Sequence, residues 1–533
     1  MYDLTHDQQA RTLSLLAQTT GWARVRTLCP EVDDSTAQAI LSAAGTLAET
    51  VIQPLDSVAD RDGCRLTEGR VQVPAAYSAA YRAVADGGWI GIDLPESMGG
   101  SGLPIVLQAA AEPLFDRASI AFNMATGASR AAAVLLSDVA PSMVAADWVP
   151  ALIAGTRTAT ICISEPDAGS DVGRIQTLAQ NEGGIWRITG QKCWISFGDH
   201  DMTDMIGHCI LARTSDMPGT RGLSLFLCPS VHNGAANGIT CLRIEEKMGL
   251  HGSPTCTLEF DGAHATLLGE EGRGVPALFK MIELMRLQTG CQGLGAATRA
   301  CDIAEGYAQD RLQGGPPNAP PISIARHPDV ARRLLLMRSQ TELLRAATLE
   351  LACTMDIARR SPHPQERDNA AALSGFLLPL IKNFGAETGF EVANQGMLVL
   401  GGAGYTREWP LEQIVRDIRV AAIYEGTTGI QALDFLERRL IRDHVGFDVF
   451  SEIAAACDLD LGLFAKMAER LIACDDPERR QRAADAWFRI GWLMVTAWLS
   501  PRLAPNEARC AMLAWAERMS VHAAQISDAL DPD

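Results

Sequence analysis

The sequence predicts an α+β protein in which helical segments flank a central β-rich segment. Two observations support this class. Ala-rich stretches with apolar residues at helical spacing lie toward both ends of the chain, and short runs rich in β-branched residues, several of them bounded by Gly, Pro, Asp or Asn, lie between them. We therefore expect a helical domain, a small barrel or sandwich, a helical bundle and a helical extension over residues 34–156, 157–270, 271–440 and 441–533, respectively.

The N-terminal and middle segments differ in texture. Helical spacing is broken by one Gly- and Pro-rich loop over residues 91–104, and β-rich runs begin at residue 158. A hairpin is predicted over residues 186–196, with Trp194 and Ser196 at alternate positions of one strand and therefore on one face. Without its neighbours, Trp194 would be interpreted as an ordinary core residue.

The C-terminal half predicts long helices. A helical pattern runs without proline over residues 277–313, and further helices are expected over residues 327–359 and 369–400. A linker with several prolines, residues 314–323, separates the first two. The extension carries four tryptophans that are available for packing: Trp487, Trp492, Trp498 and Trp515.

Composition excludes several classes of protein. The 533 residues are 47% hydrophobic, which is enough for a large core, and the net charge of -18 disfavours nucleic acid as a partner. No stretch approaches the ~20 apolar residues of a membrane span, and the first residues lack a secretory pattern. The 14 cysteines form no CxxC pair, so we expect reduced thiols, no metal site and a cytoplasmic location. A Rossmann fingerprint and a Walker loop are both missing.

Four segments carry the chemistry: ISEPDAGSD at residues 163–171, WRITGQKCWIS at 186–196, KMGLHGS at 247–253 and IYEGTTGIQ at 423–431. In this order they closely resemble the acyl-CoA dehydrogenase family. Within the family, they are most similar to the members with longer polypeptides, typified by the 3-methylmercaptopropionyl-CoA dehydrogenase subgroup. The resemblance implies a helical domain, a β-barrel and a helical bundle, with FAD between barrel and bundle. It also implies α,β-dehydrogenation of an acyl thioester to the trans-2-enoyl thioester, as in fatty acid metabolism.

The resemblance assigns Glu425 as the base that removes the α-proton, while FAD N5 accepts the β-hydrogen as hydride. The residue type suits the task, because apolar burial raises a carboxylate toward the pKa that a base for a weakly acidic C–H needs. If Glu425 is not the base, Glu165, Glu270 or Glu283 would have to be considered. A short or medium acyl-CoA is expected as substrate, and an electron-transfer flavoprotein as acceptor.

The remaining site residues also follow from the resemblance. Those implied for FAD are Cys162, Ile163, Ser164, Trp194, Ser196, Arg311, Gln313, Gly401, Gly402 and Thr427. Of these, Arg311, Gln313 and the glycine turn would reach the FAD of another subunit, which implies a homodimer or a dimer of dimers. Those implied for the substrate are Ser170, Glu283, Arg286 and Gly426. Glu283 and Arg286, about one helical turn apart, are equally compatible with an intrahelical ion pair.

Three alternatives stay open. An acyl thioester oxidase or a dehydrogenase of acyl-carrier-protein thioesters could use the same fold. A non-catalytic flavoprotein that binds DNA shares the fold as well, but the acidic balance of this chain argues against it.

Overall fold

The computed structural model describes residues 4–531. The chain divides into two compact units: the first comprises Met1–Gly45, Pro104–Arg117 and Arg286–Asp533, and the second comprises Thr46–Leu103 and Ala118–Met285. The unit boundaries fall inside two long helices, α6 (Ile105–Val139) and α8 (Gly274–Asp310). The four domain bounds drawn from the sequence remain a prediction.

The second unit is built around a seven-stranded sheet. Its strands are β3 (Thr158–Cys162), β4 (Leu178–Glu182), β5 (Ile185–Ser196), β6 (Ile206–Arg213), β7 (Leu223–Pro229), β10 (Ile239–Ile244) and β11 (Thr255–Leu268). Two small hairpins accompany the sheet: β1 (Arg65–Thr67) with β2 (Arg70–Gln72), and β8 (Val231–His232) with β9 (Ala235–Ala236). Helices α4 (Gln53–Asp62), α5 (Tyr77–Asp86) and α7 (Ser142–Ile153) belong to the same unit.

The strand pairing closes this sheet into a barrel. β11 pairs with β5, β5 with β4, β4 with β6, β6 with β7, and β7 returns to β11. β3 joins the ring through β6, and β10 joins it through β11. Side chains fill the interior, as expected for a small barrel, and they include the fully or nearly fully buried Ile188, Ile210, Phe226, Leu258 and Phe260. Of the two architectures that the strand pattern allowed, the structure adopts the barrel.

The predicted hairpin over residues 186–196 is wrong. These residues form one continuous strand, β5, that pairs with β4 on one side and β11 on the other. The register along β11 shifts between Cys256, opposite Ile195, and Leu258, opposite Lys192, so β5 carries a bulge at residues 193–194. Trp194 has a φ of 63° there. The bulge interrupts the alternation of faces before Trp194; beyond it, Trp194 is exposed, Ile195 is buried and Ser196 is partly buried.

The first unit is helical. It contains α1 (Leu4–Gln18), α2 (Trp22–Leu28), most of α3 (Asp34–Leu47), α9 (Pro328–Arg360), α10 (Pro364–Leu400), α11 (Leu411–Ile418), α12 (Thr428–Leu433), α13 (Val445–Ala456), α14 (Gly462–Ile472), α15 (Pro477–Arg482), α16 (Ala484–Leu499), α17 (Pro505–Ala511) and α18 (Trp515–Leu530). α9 and α10 each begin with a proline, whose fixed φ suits the first helical position and which has no N–H to leave unpaired. The helix predicted to reach Gln313 ends at Asp310.

Aromatic side chains pack the helical extension on the bundle and also join the helices of the extension to one another. Trp492 of α16 stacks on Phe384 of α10 with ring centroids 5.0 Å apart. Trp498 meets Phe450 edge to face at 5.7 Å. The Trp515 indole N–H donates to the Leu493 carbonyl at 2.8 Å. Within the described residues, no helix combines the length and the apolar character that crossing a membrane requires.

Candidate active site

The loop of residues 423–427 in the first unit is held by two long helices. The Tyr424 hydroxyl donates to the side-chain oxygen of Gln292 on α8. The Thr428 hydroxyl donates to Oδ1 of Asn383 on α10 at 2.7 Å. Thr427, predicted to lie beside the FAD diphosphate, caps α12 by accepting from the Ile430 N–H at 3.4 Å. The loop is therefore tied down on both sides of Glu425.

Glu425 and Gly426 have left-handed backbones, with φ values of 54° and 92°. Gln431 Nε2 donates to the Glu425 carbonyl at 2.8 Å, and Lys382 Nζ donates to the Gly426 carbonyl at 2.7 Å. A Cβ at residue 426 would lie 2.7 Å from Gln431 Nε2 and would be strained at this φ, so the position favours glycine. The N–H groups of Glu425 and Gly426 donate no hydrogen bond to any residue that the structure describes, and they remain available to a ligand.

The four candidate bases differ in environment. Burial raises the pKa of Glu425 above its usual value, against the opposing charges of Arg286 and Lys382. Burial would also raise the pKa of Glu165, but Lys192 and backbone amides outweigh it and hold that pKa below its usual value. Glu270 and Glu283 are exposed. Glu425 is thus the candidate base whose surroundings raise its pKa and so favour proton uptake.

Arg286 is buried within a group of charges next to this loop. Its guanidinium lies 3.8 Å from the Asp434 carboxylate, which Arg438 also contacts at 3.1 Å and Arg439 at 3.9 Å. Burial lowers the pKa of Arg286, with Asp434 and Glu425 opposing the shift. Whether Arg286 binds the substrate stays a prediction, while its pairing with Asp434 was not anticipated from the sequence.

In the second unit, the predicted flavin-side residues lie close together. The Cys162 side chain is buried against His208 Nδ1 at 3.8 Å, so only its backbone could meet a flavin. The Ile163 carbonyl accepts from Lys192 Nζ at 2.9 Å, and the Ser164 carbonyl accepts from the Cys193 N–H at 2.9 Å. These bonds fix the end of β3 against the bulge of β5, where the Trp194 indole is 61% exposed.

Lys192 and Glu165 form a buried ion pair that the sequence analysis missed. Lys192 Nζ lies 2.8 Å from Glu165 Oε1, and neither side chain is more than 8% exposed. Glu165 also accepts from the N–H groups of Gln176 at 2.7 Å and Thr177 at 3.0 Å. The only signal available in the sequence was a charged residue at an inward position of a strand.

Most of the other predicted residues lie at the surface. Arg311 and Gln313 are exposed just beyond the end of α8, and Gly401 and Gly402 are exposed at the end of α10. A Cβ at either glycine would meet nothing within 4 Å, which leaves room for a partner of some size. Ser170 in the second unit is exposed and Ser196 is partly buried. These positions stay predictions for their ligands.

The sequence matches three domain families, described as the acyl-CoA dehydrogenase N-terminal domain at residues 34–156, the middle domain at 160–263 and the C-terminal domain at 272–440. It is 36% identical over 500 residues to 3-methylmercaptopropionyl-CoA dehydrogenase of Ruegeria pomeroyi, covering 91% of this chain and 84% of that protein. It is 32% identical over 439 residues to the broad-specificity linear acyl-CoA dehydrogenase FadE5 of Mycobacterium tuberculosis, covering 78% and 71%.

A solved structure with the same fold is the acyl-CoA dehydrogenase of Bacillus anthracis complexed with FAD. It superposes with a TM-score of 0.77 at 20% identity, and the match covers 95% of this chain and 90% of that one. Fold and sequence lead to one assignment: the chain belongs to the acyl-CoA dehydrogenase family of FAD-dependent oxidoreductases.

Proposed function

We infer that the protein dehydrogenates an acyl-CoA at its α and β carbons, with Glu425 as the base that takes the α-proton. The observation that carries this proposal is the environment of Glu425: a partly buried carboxylate of raised pKa beside two N–H groups without a described partner. A base for a thioester α-proton needs a conjugate acid that titrates near working pH. The N–H groups supply the second requirement, a place for the charge that develops on the thioester oxygen.

The loop geometry supports this division of labour. Gln431 donates to the carbonyl of the Glu425–Gly426 peptide, and a peptide whose carbonyl is hydrogen-bonded is a stronger N–H donor. The Gly426 N–H is therefore a suitable donor to the thioester carbonyl. Proton removal by Glu425 and stabilisation of the enolate oxygen by this peptide then occur on adjacent residues.

FAD is the cofactor of this family, and the residues present fit it. Trp194 exposes a large indole surface, which is available to stack on a planar flavin ring. Beside it, the carbonyls of Ile163 and Ser164 are fixed by bonds from β5. When bound, FAD supplies the acceptor for the β-hydrogen and its two electrons, so that the substrate loses a proton and a hydride in total.

The acyl group is proposed to be short or medium in length and carried by coenzyme A. Support comes from the relative named for the short 3-methylmercaptopropionyl thioester. A panel of acyl-CoAs from C4 to C16, with acyl-carrier-protein thioesters alongside, would test it by the rate of anaerobic flavin bleaching. Rates that rise steadily up to the longest chain, with ~0.8 kcal/mol available per buried methylene, would contradict the short pocket.

The acceptor is proposed to be an electron-transfer flavoprotein and the assembly a homodimer or a dimer of dimers. Exposed apolar side chains, Leu398 and Tyr405, lie near Gly401 and Gly402 in sequence and support an interface there. Sedimentation should give a dimer or tetramer, and Arg311→Ala should loosen FAD. A fully flavinated monomer would refute this arrangement. A cytoplasmic location also stays a prediction.

The decisive test of the chemistry is Glu425→Gln. The variant should bind FAD and acyl-CoA while its flavin reduction falls by ~10²- to 10⁴-fold, because a general base contributes about that much. Glu270→Gln, which changes an exposed glutamate, is the matched control and should behave like the parent protein. Near-normal reduction by the Glu425 variant would overturn the assignment.

A further inference from the structure

Lys382 is a buried lysine that no motif singled out. It lies on α10 between the fully buried Leu380 and Ile381 on one side and the fully buried Asn383 on the other, and its own side chain is 0% exposed. Its ammonium group donates to the Gly426 carbonyl at 2.7 Å. Burying an ammonium group is costly unless it is paired, so its presence here calls for an explanation.

The two buried lysines among the described residues differ in how their positive charge is compensated. Lys192 has a carboxylate partner at 2.8 Å, Glu165. Lys382 has none within 4.0 Å among the described residues, and the carboxylate that opposes the loss of its charge is Glu425. Burial lowers the pKa of Lys382 to about 7. Its charge is thus poorly compensated and directed toward the residue proposed as the base.

Other elements of the first unit that pack near Glu425 also contribute charged or titratable groups. Arg286 on α8 contributes a second positive charge, but Asp434 partly neutralises it. Arg438 and Arg439 face Asp434 in turn. Tyr424 precedes Glu425 and stays neutral, because burial and the neighbouring carboxylates, Asp116 on α6 among them, raise its pKa. One of the two cations that act on Glu425, Lys382, also bonds to the loop backbone.

We propose that Lys382 is a positioning residue for α-proton transfer: its ammonium group holds the Gly426 carbonyl, which keeps Glu425 and Gly426 in their left-handed conformation, and places a positive charge beside the ionised base. The inference rests on the proposed function of Glu425. The hydrogen bond and the charge are separable, because a neutral amine or amide can still donate to the carbonyl while only a cation stabilises the carboxylate.

The sign of the charge effect is set by electrostatics. A cation near Glu425 favours its ionised form and lowers its pKa. Removing the cation should raise that pKa, so the acidic limb of the rate profile should move to higher pH by about one unit or more. Activity lost at neutral pH should then return partly at alkaline pH. A purely structural lysine would not produce this recovery.

Three variants separate the two roles in anaerobic flavin reduction across pH. Lys382→Gln keeps a donor without the charge, and should move the acidic limb upward while the alkaline plateau falls less than ~3-fold. Lys382→Met removes both, and should move the limb and also lower the plateau by ~10-fold or more. Lys382→Arg keeps the charge and should leave the limb in place. Substrate affinity should change less than ~3-fold in each.

The outcomes decide between the two proposals. Unchanged limbs in both neutral variants, with Glu425→Gln inactive, would overturn the role of Lys382 and leave the base assignment intact. An active Glu425→Gln would overturn the base assignment itself. If neither neutral variant folds with FAD bound, Lys382 serves stability and the positioning role is wrong. Lys280→Met, at an exposed lysine, is the control and should match the parent profile.

Discussion

Replacing Lys192 with methionine should destabilise the second unit strongly, because it leaves the Glu165 carboxylate buried without its cation. Glu165 is 8% exposed and Lys192 is 0% exposed, so water cannot replace the lost partner. Methionine matches the length of the lysine stem and leaves no large cavity. The loss therefore reports on charge rather than on packing.

The size of the destabilisation depends on the hydrogen bonds that Glu165 keeps in the variant. Breaking a buried pair from one side costs ~3–5 kcal/mol. Two backbone N–H groups, from Gln176 and Thr177, still donate to the carboxylate. We therefore expect the lower end, about 3 kcal/mol in the free energy of unfolding. Adding Glu165→Gln to Lys192→Met should recover about 1 kcal/mol or more, since the double variant buries no charge at this site.

The loss should also depend on pH. In the parent protein the folded-state pKa of Glu165 is depressed, so its contribution is present above the unfolded value of ~4.3 and is lost as pH falls through the folded value. Without Lys192, burial raises the folded pKa, and stability is lost as pH rises through it. The gap in the free energy of unfolding between parent and variant should therefore widen as pH rises above about 4.

Urea unfolding of the FAD-saturated proteins, followed by tryptophan fluorescence, measures this gap at each pH. A Lys192→Met protein within about 1 kcal/mol of the parent at neutral pH would refute the reasoning, as would a gap that does not change with pH. The same variant should bind FAD more weakly, because the Ile163 carbonyl loses its bond from Lys192.

Three further substitutions test the site. Trp194→Ala should change the free energy of unfolding by less than ~0.5 kcal/mol, since the indole is 61% exposed. It should nevertheless raise the FAD dissociation constant ~10-fold. Titration of the apoprotein with FAD measures this constant, and an unchanged value would contradict the flavin contact. Gly426→Ala should lower the free energy of unfolding by ~1–3 kcal/mol and slow flavin reduction, because its φ of 92° and a Cβ 2.7 Å from Gln431 strain the loop. Thermal unfolding and the reduction rate measure the two effects, and a parent-like rate would show that the loop tolerates the change. Tyr424→Phe should cost ~1–2 kcal/mol by leaving the Gln292 oxygen without its donor, with no shift in the pH profile of flavin reduction; a shifted profile would mean that Tyr424 titrates.

The sequence alone was sufficient for the fold class, the family and the candidate base. Helical spacing predicted both ends of α9 and the C-terminal end of α10 closely, because this signal is local, whereas α10 begins at Pro364, before the predicted start at residue 369. Glu425 was found through the order of four motifs and not through any property of the residue itself. The helix that was extended to Gln313 ends at Asp310, and no Gly or Pro at that point marks the change.

Closure of the barrel and the exposure of Trp194 were decided by tertiary structure. Closure requires β7 to pair with β11 as well as with its chain neighbour β6, and β11 is not adjacent to either strand in the sequence. The bulge that turns Trp194 outward follows from a register shift against β11, and register is a property of two strands together.

The two buried lysines were decided in the same way. Every residue from 376 to 386 on α10 is buried, so this part of the helix has no polar face that would predict the environment of Lys382. The role of Lys192 as an ion-pair partner likewise becomes apparent only when folding brings Glu165, distant along the chain, to within 2.8 Å. A sequence gives the type of each charged group, but its pKa and its partner depend on solvent exclusion and distance, which exist only once the chain has folded.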